Sequence, residues 1–188
     1  MSRPADSPYI LDVYELMHRP GQMRERELSF PAPEQLGEGM ISVKPGVPLD
    51  IDVRLEGLHE GILVSGDIRS SATGVCVRCL IDIEQPVQVE FQELFAYSSD
   101  EAFDYEVHDD HVDLEPVVRD AVVLSLPFQP VCRPDCPGLD PVTGERLADM
   151  PASEPEAVID PRWAALEGFQ AAATDDEGTE PGAEREKR

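Results

Sequence analysis

Asp50-Ile-Asp-Val-Arg-Leu-Glu56 alternates without a break, apolar at Ile51, Val53 and Leu55 and polar at every position between them. Successive side chains of a strand point to opposite faces, so this period of two puts the three apolar groups on one side. After a turn at Gly57 to Gly61, Ile62, Val64, Gly66 and Ile68 repeat the same parity. Further along, Ile81, Ile83, Val87, Val89 and Phe91 keep it again, with Glu84, Gln88 and Glu90 opposite. Pro86 interrupts this last run. It has no N–H for a ladder, so it marks an edge strand or a bulge. One-sided strands of this kind belong to an antiparallel sheet with one buried and one wet face.

A helix follows. Asp113 offers an N-cap oxygen, Pro116 falls in the first turn where its missing N–H costs little, and Pro127 stops the run. Leu114, Val117, Val118, Ala121 and Leu124 mark its expected apolar face. The expected fold is α+β: a mainly antiparallel sheet with one long core helix. That helix runs straight into Phe128-Gln-Pro-Val-Cys132.

Two close pairs, Cys76-Val-Arg-Cys79 and Cys132-Arg-Pro-Asp-Cys136, account for all 4 cysteines of the chain. Four thiols close one tetrahedral zinc shell with none left over, and each pair sits where a strand or helix gives way to a turn. A structural zinc site of Cys76, Cys79, Cys132 and Cys136 is therefore expected, joining distant parts of the fold. Zinc with four thiolates is formally doubly negative, so Arg78 and Arg133 suit its surroundings as donors, or project as exposed arms. Disulfides, a redox pair and inert thiols are the alternatives. Met1-Ser-Arg-Pro-Ala-Asp6 is polar and no apolar signal region follows, which points to the reducing cytoplasm. A redox Cys-x-x-Cys is expected at the start of a helix, whereas Ser70 to Ile83 reads as strand, turn, strand.

The 188 residues carry a net charge of -24, and 18 are proline. No apolar run approaches membrane-spanning length. No Lys or Arg lies between Arg78 and Arg119, against twelve carboxylates from Asp82 to Glu115. This acidity is either a solvated face that maintains solubility or a docking surface for a basic partner. Non-specific binding to RNA or DNA needs cations against phosphate, and 15 basic residues against 39 acidic ones disfavour it, so any nucleic-acid contact would have to be local.

Three segments are expected: an N-terminal arm over 1–38, a folded metal-binding core over 39–148, and an acidic, largely disordered tail over 149–188. In the arm, Ile10, Val13, Tyr14 and Met17 recur at helical spacing while Leu11-Asp-Val-Tyr-Glu-Leu16 also fits a strand. In the tail, Asp160-Pro-Arg-Trp-Ala-Ala-Leu-Glu-Gly-Phe169 begins like a capped short helix. Its Trp163, Leu166 and Phe169 either fold back on the core or dock into a partner's groove.

Catalytic patterns are scarce. His108 and His111 flank Asp109-Asp110, which suits a solvated hairpin or loop better than a second metal site, since no HExxH pattern accompanies them. There is no Gly-x-Ser-x-Gly elbow, P-loop, dinucleotide fingerprint or deaminase His-x-Glu. Four cysteines leave a metal no open position for water. A non-enzymatic role is expected.

Three motifs together resemble the YceD family. They are Cys76-Val-Arg-Cys79, the run from Val112-Asp-Leu-Glu-Pro to Leu124-Ser-Leu-Pro127, and Cys132-Arg-Pro-Asp-Cys136-Pro-Gly-Leu-Asp140. The likeness covers roughly 40–148, with Asp160-Pro-Arg-Trp-Ala-Ala-Leu166 in support. It implies a non-catalytic factor in ribosome biogenesis linked to accumulation of large-subunit ribosomal RNA. Many relatives continue Gly-Leu-Cys-Pro-x-Cys-Gly where this chain has Gly138-Leu-Asp-Pro-Val-Thr-Gly144, so two further thiols are absent here. An RNA-linked role with this charge implies action through a basic ribosomal protein or another assembly factor, with contact to ribosomal RNA indirect. A thiol-based redox sensor using Cys76 and Cys79 is the competing reading.

Overall fold

The computed structural model describes residues 7–98, 104–150 and Arg162. The alternating stretches form the centre of the main sheet. Strands β4 (Pro48–Gly57), β5 (Gly61–Val75) and β6 (Asp82–Ala96) are consecutive and antiparallel. Ile51, Val53, Leu55, Ile62, Val64 and Ile68 are all buried, as their parity requires. Val87, Phe91 and Phe95 continue that face on β6, while Val89 and Ile83 are half-buried. Pro86 stands opposite Ser71, on a length of β6 whose other edge has no strand among the described residues. An edge of this kind tolerates a residue with no N–H to donate.

The stretch expected to be an N-terminal arm contributes a strand to this sheet. Within it, β2 (Met23–Pro31) pairs antiparallel with β4 from Met23↔Glu56 to Pro31↔Pro48 and forms one edge of the sheet. Its pattern is hard to read because Arg24 and Arg26 occupy the same-parity positions as Leu28 and Phe30. On an edge strand, long charged side chains can reach water from the inner side. The ambiguous segment before it is neither all helix nor all strand. β1 (Ile10–Asp12) pairs with β8 (His111–Asp113) in a separate two-stranded sheet, and turns follow over 14–18. Val13 and Leu16 are buried, but Tyr14 is 69% exposed, so the expected Ile10–Tyr14 face does not form.

β3 (Ile41–Ser42) pairs with β5 at Gly74 and Thr73, beyond the end of β4. A Cβ on Gly74 would lie 2.1 Å from the Met40 carbonyl, so the close approach of β3 requires glycine there. β7 (Tyr105–Glu106) runs parallel to the end of β6, and the order across the sheet is β2-β4-β5-β6-β7.

Helix α1 (Glu115–Ser125) packs against β6, with Val117, Val118 and Val122 buried. Asp113 caps it from one position earlier than a standard N-cap, its Oδ1 accepting the Glu115 amide at 3.0 Å. Leu124, expected on the apolar face, is 85% exposed. Burial instead follows the i, i+4 line Leu114–Val118–Val122. Two residues beyond Val122 the helix has turned about 200°, which leaves Leu124 just outside the arc that runs from Val117 to Val122. The described fold thus matches the α+β, mainly antiparallel expectation.

The chain divides into two units, Met1–Met150 and Pro151–Arg188. Trp163, Leu166, Phe169 and the short helix expected near 160–169 lie outside the described residues, as does the acidic tail.

Because Val122 is buried and Leu124 is not, Val122→Ala should destabilise the protein by about 1–3 kcal/mol. Leu124→Ala should stay within about 0.5 kcal/mol. Thermal or urea unfolding of the two variants checks this assignment of the helix faces.

Candidate metal centre

The first cysteine pair is the loop of the β5–β6 hairpin. The ladder runs up to Val75↔Asp82, and the six residues beyond it form the knuckle. Within it the Cys76 amide donates to the Ile81 carbonyl at 2.8 Å and the Leu80 amide to the Cys76 carbonyl at 2.9 Å. Leu80 has φ +58°, the left-handed position that reverses the chain after the second thiol. The second pair follows α1 through Pro127 and Pro130. The Cys136 amide donates to the Arg133 carbonyl, and Gly138, at φ +85°, turns the chain against the Arg78 backbone.

Four contacts dock one knuckle on the other. The Val77 amide donates to the Pro130 carbonyl at 2.9 Å, and Gln85 Nε2 to the Val131 carbonyl at 3.3 Å. Arg78 Nη1 reaches the carbonyls of both Pro134 and Cys136, each at 3.1 Å. Arg78 therefore holds the backbone that presents a thiol. Arg133 plays no such part, being about half exposed and paired with Asp135 at 3.5 Å.

The four sulfurs lie within 4.8 Å of one another. Cys76 Sγ is 3.9 Å from Cys136 Sγ, and Cys79 Sγ is 3.7 Å from Cys132 Sγ. A tetrahedral shell with metal–sulfur bonds of about 2.3 Å has edges of about 3.8 Å. The cluster has those dimensions and could hold a metal ion. All four cysteines are free, not joined as disulfides. Cys76, Cys79 and Cys136 are buried in a small apolar shell of Ile81, Ile83, Val131 and Leu139.

The thiols are electrostatically unequal. Burial raises Cys76, but backbone amides directed at its sulfur outweigh this and bring it down to about 6. Cys132 is exposed as a residue, yet its sulfur is inside the cluster. Desolvation and the three neighbouring sulfurs push it up to about 12. For Cys79 the Ile81 backbone pulls downward, but burial and the sulfurs of Cys76 and Cys136 prevail and raise it. Without a cation, the Cys76 thiolate forms readily while Cys79 and Cys132 resist.

His108 and His111 face each other across a two-residue turn. Asp109 and Asp110 both have positive φ, and His108 and His111 exchange backbone hydrogen bonds of 2.9 Å. The turn is a hairpin, the plainer of the two expectations. Among the described residues, the four cysteines are the group whose ligand atoms converge.

Residues 64–170, more than half of the chain, match the family described as Large ribosomal RNA subunit accumulation protein YceD. The chain belongs to the YceD family. Among its relatives is the uncharacterized protein Rv2926c of Mycobacterium tuberculosis (strain ATCC 25618 / H37Rv), 43% identical over 171 residues, covering 87% of this chain and 82% of that protein. The uncharacterized protein ML1660 of Mycobacterium leprae is 36% identical, over 85% of this chain and 76% of its own. The uncharacterized protein YlbN of Bacillus subtilis is 32% identical, over 82% of this chain and 92% of its own. No solved structure matches this YceD protein. The matched region contains both cysteine pairs and α1, so it includes the whole cysteine cluster.

Sequence reasoning found the four thiols and Arg78, but not Gln85 or the Val77 amide. Neither carries a signal of its own, because their roles depend on where the second knuckle lands.

Metal binding requires all four sulfurs as thiolates, so protons held at Cys132 and Cys79 must leave. Their raised values mean that apparent affinity should fall as pH is lowered from about 8 to about 6, with protons released on binding. Cobalt(II) titration, read by its tetrahedral thiolate absorption, measures both. Arg78→Met should weaken metal binding by roughly 10-fold or more in chelator competition, since it frees the carbonyls that position Cys136.

Proposed function

We propose that this protein is a non-catalytic factor in ribosome biogenesis that supports accumulation of large-subunit ribosomal RNA. Membership of the YceD family, whose description names that RNA, is the observation that carries the reading. The bound ion in this proposal is zinc. Soft thiolates in a tetrahedral set favour it, and structural zinc sites use such closed shells. With four sulfurs engaged, zinc has no position for water or substrate, which supports a stapling role over a catalytic one.

The proposed partner is a basic ribosomal protein or assembly factor, met in the cytoplasm, with ribosomal RNA contacted through it. A net charge of -24 supports this, since phosphate is repelled and Lys- or Arg-rich proteins are attracted. No helix of the described residues is long and apolar enough to cross a membrane.

The test is a chromosomal deletion alongside a Cys76→Ser/Cys79→Ser replacement. Both should lower large-subunit ribosomal RNA and its precursors relative to the small subunit, measured by quantitative hybridisation. An unchanged ratio in the deletion strain would sink the proposal. A second reading, a thiol redox sensor at Cys76 and Cys79, is favoured by the lowered Cys76 thiol. Stoichiometric zinc in protein purified without added metal, with all four thiols protected from alkylation, would count against it.

A further inference from the structure

The ladder registers align carboxylates across the solvent face of the sheet. Glu27 is opposite Asp52, Asp52 opposite Asp67, and Asp67 opposite Glu90, so four acids from β2, β4, β5 and β6 form one row. Strands about 4.8 Å apart make that row roughly 14 Å long. Two residues along, Glu25, Arg54, Ser65 and Gln92 form the neighbouring row on the same face. A groove of about 600 Å³ lies over this part of the sheet, with Glu25, Glu27, Asp52, Arg54, Asp67 and Glu90 among its lining.

Like charges directly opposite each other destabilise a sheet, and here three such pairs occur in succession. The protein supplies little relief. Asp52 is met by Arg69 at 2.7 Å, but among the described residues no ion pair is made by Glu27, Asp67 or Glu90. Arg54 turns to Met23 and Glu56 instead of the acidic row. The row is also strung out in a line, whereas a single metal ion needs ligands that converge, as the cysteines do. A face four strands wide, with four carboxylates in line across it, complements several cations on one extended chain.

We propose that the outer face of β2, β4, β5 and β6 is the docking surface for an extended Lys/Arg-rich segment of a partner protein. The proposal rests on the reading that this protein acts through a basic protein partner, and it names the surface used. The groove over this face receives the cationic side chains, and the Glu27–Asp52–Asp67–Glu90 row, in which Arg69 is ion-paired with Asp52 alone, is neutralised further in the complex. Nucleic acid is repelled by the same face.

The test uses the full chain and a fluorescent eight-residue peptide of alternating lysine and arginine, at physiological salt. Asp67→Asn/Glu90→Gln should weaken peptide binding at least tenfold. Asp109→Asn/Asp110→Asn, which removes the same charge from the distant hairpin turn, should change it less than twofold. The first variant should also melt above the parent, because it removes like-charge pairs, so loss of binding would not be loss of fold. Backbone amide shifts on titration should centre on Asp52, Asp67 and Glu90. Equal weakening in both variants, or shifts centred outside the four strands, would overturn the proposal. Saturable magnesium binding at the face without peptide binding would also overturn it, in favour of a cation site. If both variants recover the same basic ribosomal proteins from cells, the surface is wrong and the proposed function stands. If the face binds peptide but deletion leaves ribosomal RNA unchanged, the function is wrong and the surface stands.

Discussion

The β5–β6 hairpin is the element on which the described main sheet and helix α1 are assembled. Its ladder is unbroken from Gly61↔Ala96 to Val75↔Asp82. β4 and β3 share the other edge of β5, and α1 packs on β6. The first two thiols are carried on the loop that closes this ladder. A long regular hairpin twists as one body, so the position of Cys76 and Cys79 is set by strand pairing over its whole length. Placing a ligand pair at the end of such a rigid element aims its sulfurs without help from a flexible loop.

The second pair has no comparable support from its own secondary structure. It follows a three-turn helix through two prolines, and its place depends on contacts with the first knuckle, Arg78 foremost. Cys79 and Cys132 are 53 residues apart in sequence. Closing a loop of that size costs roughly 3–4 kcal/mol in chain entropy, a cost shared with the pairing of β5 with β6 and the packing of α1 on β6. A bound ion would then lock an arrangement that the hydrogen bonds already favour. The unequal thiols point the same way, since backbone amides stabilise the Cys76 thiolate while Cys79 and Cys132 await a cation.

The two sides of the sheet have different chemistry for one physical reason. The inner side excludes water and is built of Val, Ile, Leu and Phe around α1. The outer side has no such demand and carries most of the acids of β4, β5 and β6. A solvated acidic face needs only scattered charge. Four carboxylates in register across four strands exceed that need, and the cost in stability is one that a simple solubility device would avoid.

The outline of β4, β5 and β6 was legible because alternation is a local property, and burying one face of a sheet enforces it residue by residue. The pairing of close cysteines was legible for a similar reason: two or three intervening residues confine both thiols to one turn. β2 was hidden because two arginines on an edge strand mask its period, and Leu124 misled because an apolar residue at helical spacing can sit just outside the buried arc. Which strands are neighbours, that Cys76 meets Cys136 while Cys79 meets Cys132, and that Glu27, Asp52, Asp67 and Glu90 stand in one line were decided by tertiary structure. Those relations depend on register between segments tens of residues apart, and register is settled by how whole faces pack, a quantity no local window of sequence contains.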